Sequence, residues 1–319
     1  MKPSAEALSL CMMVRNEERL LSRCLDSVAG LVGEIVIVDT GSTDATREIA
    51  AHYGARGIEF DFRVADFAAA RNHALAHATR PWILALDADE VLPPASALAI
   101  RELVARNENA GYYLERLNGQ PACEGSTVDH VVRLFPNRLD YRYRGRVHET
   151  IDASILRAGG RLLRTGIRLH HDFASDPDAR RRRNLWYIGI LNEEIAADPT
   201  DDSRLDFLAA EYHQLGMFDR AAEITEQIAA RRPLDPQAHL HAGVYHLLYK
   251  VDRRRARADF RAALRLRPGC PEALAFLQFL DQQEALPGSI GIGDDTPALG
   301  QVRQQIETPA DGRIPPAFP

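Results

Sequence analysis

Apolar positions along the 319-residue chain follow two rhythms, and the change between them falls near residue 178. Residues 7–14 form a short apolar run, and residues 17–29 then carry Leu20, Leu21, Cys24, Leu25 and Val28 at helical spacing. Residues 34–38 are apolar and β-branched, which predicts a strand, and they end in Asp39-Thr40-Gly41-Ser42-Thr43-Asp44. A helix is expected over 45–52, with Ser42, Thr43 or Asp44 able to cap it. Residues 66–78 read as a further helix, and 82–86 as a buried strand ending in Asp87-Ala88-Asp89-Glu90. Strand, helix, strand, helix, strand predicts a mostly parallel α/β sheet with helices on its faces. Such sheets bind ligands beyond the carboxyl ends of their strands, and the polar clusters stand at those ends.

From about residue 178 the pattern becomes all-helical. Pro199, Pro233 and Pro268 recur 34 and 35 residues apart, Tyr212 and Tyr245 recur at 33, and Ala221 and Ala256 at 35. Ala209-Ala210 and Ala242-Gly243 place small residues where paired helices pack closely. A period near 34 with this layout resembles tetratricopeptide repeats, and two to three helical hairpins fit between about 184 and 285. Residues 287–319 hold six prolines and five glycines with little apolar periodicity, the composition of a disordered tail. The expected organisation is an α/β domain over 1–178, helical repeats over 179–286 and a tail over 287–319.

Composition narrows the function classes. A formal net charge of −6 and an isoelectric point near 6.0 argue against a nucleic-acid binder working through bulk positive charge. Four cysteines, Cys11, Cys24, Cys123 and Cys270, form no C-x-x-C pair, which fits reduced thiols in a cytoplasm better than a disulfide framework or a zinc site. No apolar run approaches the roughly 18–20 residues of a membrane span, and the run before Arg15-Asn16-Glu17-Glu18 lacks the form of a signal peptide. A cytoplasmic protein is expected, with any contact at the inner membrane peripheral.

The candidate chemistry starts at Asp87-Ala88-Asp89. Two carboxylates at i and i+2 beyond a strand end can bind a hard divalent cation such as Mg²⁺ or Mn²⁺, although a lone D-x-D is most often an acidic loop. Its company is ordered: Arg15-Asn16-Glu17-Glu18 follows the first strand, Asp39 to Asp44 the second, and Asp66-Phe67-Ala68-Ala69-Ala70-Arg71-Asn72 precedes the D-x-D strand. With these four motifs in order over residues 7–175, the chain resembles family 2 glycosyltransferases of the GT-A fold. The likeness is to the branch typified by lipopolysaccharide-core β-glucosyltransferases. The attached helical repeats look like the arrangement in some bacterial family 2 enzymes, including peptide S-glycosyltransferases.

That resemblance implies a metal-dependent, inverting transfer of a hexose from a nucleotide-diphosphate sugar, UDP-glucose or another UDP-hexose. Asp39 matches the residue that accepts from the nucleotide base, and Asn16 and Glu17 lie in the loop closing over base and ribose. Arg71 matches an arginine on the nucleotide side of the donor. Asp87 would touch ribose or metal, and Asp89 would ligate the metal. Family members commonly carry the general base in a Glu-Asp pair, followed by a helix, a strand and a histidine. Here the pair is His148-Glu149, which departs from that pattern and is as in the lipopolysaccharide-core branch, so Glu149 becomes the expected base. His170 and His171 follow 21 and 22 residues later; His170 is the preferred third metal ligand and His171 the alternative. Arg144 and Arg146 are expected to grip diphosphate or acceptor, or to be a solvated hairpin; Asp44 is expected to start a helix. The acceptor implied is a cell-surface or lipopolysaccharide-core glycan, or a peptide or protein held by the repeats, which could also form a homodimer. The competing reading is a helical-repeat interaction protein carrying an inert glycosyltransferase-like scaffold. A nucleotidyltransferase would want a Gly-rich phosphate loop with a lysine, and the only lysine near that end is Lys2.

Overall fold

The computed structural model describes residues 7–119, 127–171 and 177–285. The chain divides into two compact units, residues 1–176 and 177–319. The first contains β1 (Leu8–Val14), α1 (Leu21–Ser27), β2 (Glu34–Asp39), α2 (Thr46–His52), β3 (Arg56–Glu59), α3 (Phe67–His77) and β4 (Trp82–Ala85). It continues with β5 (Glu90–Val91), α4 (Pro94–Arg106), β6 (Ala110–Asn118), β7 (Thr127–Pro136), α5 (Asp152–Arg157) and β8 (Arg161–His171). All eight strands lie in one sheet in the order β3-β2-β1-β4-β7-β6-β8-β5. β3, β2, β1 and β4 run parallel, as the apolar runs predict. β7 is antiparallel to both β4 and β6, β8 runs parallel to β6, and β5 pairs antiparallel with the end of β8.

Strand alternation sends side chains to two cores. Leu8, Leu10, Met12 and Val14 of β1 join Leu84, Tyr112 and Leu114 on one face with Leu21 and Leu25 of α1. Cys11, Val36, Val38, Ile83 and Phe135 face the other way, against Ala70 and Ala74 of α3 and Ile155 of α5. Each large apolar side chain buried in this way contributes about 1.5–3 kcal/mol. The expected helix over 17–29 is shorter in the structure, because Asn16 takes a left-handed φ of 57° and the Glu17 and Glu18 N–H groups bond to the neighbouring loop.

Among its described residues, 177–285, the second unit holds helices alone: α6 (Pro177–Ala197), α7 (Ser203–Gln214), α8 (Phe218–Arg231), α9 (Pro236–Leu248), α10 (Arg253–Leu266) and α11 (Pro271–Ala285). α7, α9 and α11 occupy equivalent places in the repeat, and so do α8 and α10. Tyr245 of α9 packs on Ala221 and Ala222 of α8. Phe260 of α10 stacks on Phe276 of α11 at 4.7 Å between ring centroids. Gly243 is required by closeness alone, since a Cβ there would lie 2.6 Å from a Phe260 ring carbon. The predicted tail, 287–319, lies outside the described residues. Among those described, no helix is long and apolar enough to cross a membrane.

Candidate active site

Two loops at the carboxyl ends of β1 and β2 are laced together. The Asn16 N–H donates to Ser42 Oγ at 2.9 Å, the Thr43 N–H to Asn16 Oδ1 at 2.8 Å, and the Glu17 N–H to Thr46 Oγ1 at 2.7 Å. Asp44 accepts from the Glu18 and Thr46 N–H groups at 3.1 and 3.0 Å. It therefore ties the loops together, and α2 begins with Ala45 at its N-cap and no side-chain cap.

Asp39 ends β2 and is buried. Its Oδ1 accepts from the Gly41 and Ser42 N–H groups, both at 2.9 Å, and from Arg47 Nη2 at 2.9 Å. Burial alone would raise this carboxyl, but the bonds from Ser42, Arg47 and Gly41 outweigh it and hold the pKa below the usual range. Oδ2 is buried with no donor among the described residues. Asp39 also lines an open cavity of about 200 Å³ together with Arg47, Thr46, Val14, Ile58 and Glu59.

The second cluster gathers around α3. Asp66 caps this helix by accepting from the Ala69 N–H at 2.7 Å, and Asn72 bonds both backbone groups of Tyr143, at 2.9 and 2.8 Å. These contacts dock residues 141–149 on α3, and Arg71 on the same helix reaches Glu149. Arg71 Nε donates to Glu149 Oε1 at 2.5 Å and Nη2 to Asp87 Oδ1 at 2.6 Å, while the guanidinium lies 5.5 Å above the Tyr143 ring. The other Asp87 oxygen pairs with Arg133 Nη2. Although burial acts against ionisation, Arg133 and Arg71 hold Asp87 far below the usual carboxylate range. Asp87, expected to touch ribose or metal, has each oxygen paired with a guanidinium and its side chain 29% exposed. Glu149 itself is set by a tight loop in which Arg144 and Thr150 bridge each other's backbones and His148 adopts a φ of 49°.

Asp89 projects from the same turn and meets β8. Its Oδ2 lies 3.1 Å from His171 Nε2, and His171 Nδ1 lies 2.7 Å from Asn118 Oδ1. The Asn118 oxygen only accepts, so Nδ1–H of His171 donates to it, and Nε2 faces the Asp89 carboxylate. One carboxylate beside one imidazole is an ion pair when Nε2 carries a proton, and a donor set that suits a divalent metal when it does not. Among the described residues no three His, Cys, Asp or Glu side chains converge as a complete metal cage. His170, the preferred ligand from the sequence, is paired with Val91, while His171 is paired with Glu90; successive side chains on a strand point to opposite faces, so Asp89 meets His171. Glu17 shares this end of the sheet. Burial, then the charges of Asp89, Asp87 and Asp44, push its carboxyl up to about 7.

The Glycosyl transferase family 2 profile matches residues 9–167, the segment that carries the groups just described except His170 and His171. Residues 9–167 belong to glycosyl transferase family 2. The chain is 42% identical over 149 residues to a TPR repeat-containing protein of Synechococcus elongatus, covering 47% of this chain and 36% of that one. It is 22% identical over 250 residues to the SPbeta prophage-derived glycosyltransferase SunS of Bacillus subtilis, covering 75% and 57%. With the lipopolysaccharide core biosynthesis glycosyltransferase LpsC of Rhizobium meliloti it shares 35% over 104 residues, 32% and 38% of the two chains. The chain thus spans between a third and three fifths of the length of these curated relatives. The solved structure of Staphylococcus aureus TarS 1–349 aligns over 92% of this chain and 98% of its own, at a TM-score of 0.43 and 13% identity.

Other members of this family 2 site are placed less directly. Arg146 donates from Nε to the Ala65 carbonyl at 2.9 Å, and the Phe67 N–H donates to the Arg146 carbonyl at 2.9 Å, so Arg146 anchors the approach to α3. Arg133, Glu90, Arg47 and Asn118 were not read from the sequence as site residues. Arg133 alone left a mark there, as a charge between Val131-Val132 and Leu134-Phe135.

Proposed function

We propose that this protein transfers a hexose from a nucleoside-diphosphate sugar, UDP-glucose or a similar UDP-hexose, to an acceptor by a single inverting displacement. The reading is carried by one observation: Glu149 and the D-x-D turn, more than fifty residues apart, are joined through Arg71 beside the Asp89–His171 pair. Glu149 takes the proton from the acceptor nucleophile as that atom bonds to the anomeric carbon, and the bond to the diphosphate oxygen breaks on the opposite side. Arg71 orients the Glu149 carboxylate through the Nε contact. Asp39 Oδ2 accepts from a ring N–H of the base, as uracil offers, and Asn16 and Glu17 border the same loop. Asp89 and His171 would hold Mn²⁺ or Mg²⁺, whose charge stabilises the departing diphosphate. Arg146, tied to the loop before α3, acts on the donor by shaping that loop.

The name of the relative LpsC supports a cell-surface glycan as acceptor, in which case the transfer occurs in the cytoplasm or at the inner face of a membrane. A peptide or protein acceptor is the second reading, favoured by the helical repeats, which make concave peptide-binding surfaces in other proteins. An inert scaffold is disfavoured because Asp39, Arg71, Asp89, Glu149 and His171 are all present and assembled at one sheet end. The test is calorimetric titration of UDP into the full chain, with Mn²⁺ and then with EDTA. Binding that needs Mn²⁺ is expected. Absence of binding in both conditions would remove the UDP-sugar donor from the proposal.

A further inference from the structure

The most deeply buried charges beside the proposed machinery belong to groups that touch neither donor nor acceptor in that reading. Arg133 is 6% exposed and Glu90 is 0% exposed. Arg133 stands in β7 between Val132 and Leu134, both buried, and a guanidinium there needs paired carboxylates, although its Nε has no partner among the described residues. Its Nη2 donates to Asp87 Oδ2 and to Glu90 Oε1 together. Glu90 Oε2 in turn accepts from the Asp87 N–H at 3.0 Å, and the Glu90 N–H donates to the Asp87 carbonyl at 3.0 Å. The D-x-D turn is therefore closed from inside by Glu90 and Arg133, with Asp89 left a third exposed at its tip.

We infer that Arg133 is the positioning residue of this site: through Asp87 and Arg71 it holds the Glu149 carboxylate, while Glu90 closes the turn that presents Asp89 through the Asp87 backbone. The inference rests on the transfer reading above. Along the path Glu90, Arg133, Asp87, Arg71, Glu149, the charges alternate in sign, and each group is fixed by the next. Arg116, 3.6 Å from Glu90 and bidentate on Asp129, adds one more cation at the Glu90 end. Without Arg133, Asp87 and Glu90 become like charges side by side, and Asp87 draws Arg71 away from Glu149. A displacement of about 1 Å at a catalytic group costs on the order of 10²-fold in rate.

The experiment separates position from mere support of the fold. Arg133→Met alone leaves the buried Glu90 with only Arg116, at 3.6 Å, as a charged partner and takes one of two guanidinium partners from Asp87, and is expected to unfold readily. The paired variant Glu90→Gln/Arg133→Met removes both charges, keeps an oxygen for the Asp87 N–H, and is expected to melt within a few degrees of the wild type. In that variant the affinity for UDP with Mn²⁺ should stay within about threefold, while kcat for transfer falls by roughly 10²-fold. Arg133→Lys should restore part of kcat, because a single nitrogen serves both carboxylates in the native contact and an ammonium can replace it. If kcat of the paired variant recovers together with its melting temperature, Arg133 only supports the fold and the inference is overturned. Loss of UDP affinity in step with kcat would overturn it too, by putting Arg133 on the donor side. A wild type that binds no UDP and transfers no sugar defeats the transfer reading itself, and this inference with it; an active wild type beside an active paired variant defeats the inference alone.

Discussion

The two units bury polar groups in opposite ways. In the sheet unit, Arg71, Arg133, Glu90 and Asp87 lie together at one end of the sheet, drawn from α3, β7 and the turn after β4. In the helical unit the buried polar groups are spread out, and each ties neighbouring turns or helices. Asn184 donates to Gln214 at 2.9 Å, Thr225 to the Ala221 and Ala222 carbonyls of its own helix, and His246 links Glu226 of α8 with Asp259 of α10 at 2.8 and 2.7 Å. Concentrated buried charge is expensive and marks a place where chemistry needs a fixed electrostatic arrangement. Dispersed charge, paired within one or two helices, holds a stack together without defining a site.

The largest expected effect lies in the sheet unit. Glu149→Gln should lower transfer by about 10²–10⁴-fold, the range for loss of a general base, with UDP and Mn²⁺ binding retained. Asp89→Asn should instead weaken Mn²⁺-dependent UDP binding, as calorimetry on the two variants would show. If Glu149→Gln lost UDP binding in proportion to rate, Glu149 would belong to the donor pocket and the contrast between base and metal ligand would collapse.

Next in size is a packing effect confined to the repeats. Gly243→Ala would gain helix propensity on an open helix, yet here its Cβ meets the Phe260 ring, which is itself stacked on Phe276. Overpacking of this kind costs about 1–3 kcal/mol, so denaturant unfolding should show a lower midpoint for the helical unit while UDP binding stays unchanged. Equal loss of UDP binding would mean that the two units do not behave independently.

Two pH effects are smaller. The hydrogen bond to Asp259 raises the His246 pKa, burial opposes this, and the bond to Glu226 adds to the rise. A histidine with a raised folded-state pKa contributes stability below its unfolded value of about 6.5, and that contribution is lost as pH climbs through the folded value. His246→Gln should therefore lower the melting temperature at pH 5 and converge on the wild type at high pH; a constant gap would show that packing, not charge, is what the ring supplies. Glu17 is raised from 4.5 to about 7, so its folded form prefers the proton. Its neutral state costs nothing below pH 4.5, and stability falls as pH rises from 4.5 through 7. Glu17→Gln should accordingly raise the melting temperature at pH 8 and leave it unchanged at pH 4, when measured without metal; no gain at pH 8 would remove the acidic crowding from the site.

Much of the architecture is legible along the chain because buried parallel strands are continuous apolar runs. β1, β2 and β4 announce themselves in this way, and the prolines and small residues of the repeats mark helix ends and close packing. β3 is an exposed edge strand of mixed polarity, and β6 and β7 are recognisable only through each other, so their pattern carries little signal. Asp39, Asp87, Asp89 and Glu149 can be found because each follows an element whose end is visible in the sequence. What these carboxylates touch cannot be found that way. Arg133 is 46 residues from Asp87, and Arg71 is 78 from Glu149; such pairs exist only once the sheet has closed. The choice between His170 and His171 is the sharpest case. Between Tyr113 and Glu115 of β6 the pairing on β8 advances from Arg164 to Arg168, an irregularity that counting along the chain cannot register. The offset on β8 is two residues, so its faces still alternate; residue order supplies the two histidines, and only the pairing of β8 with β5 brings one of them to Asp89.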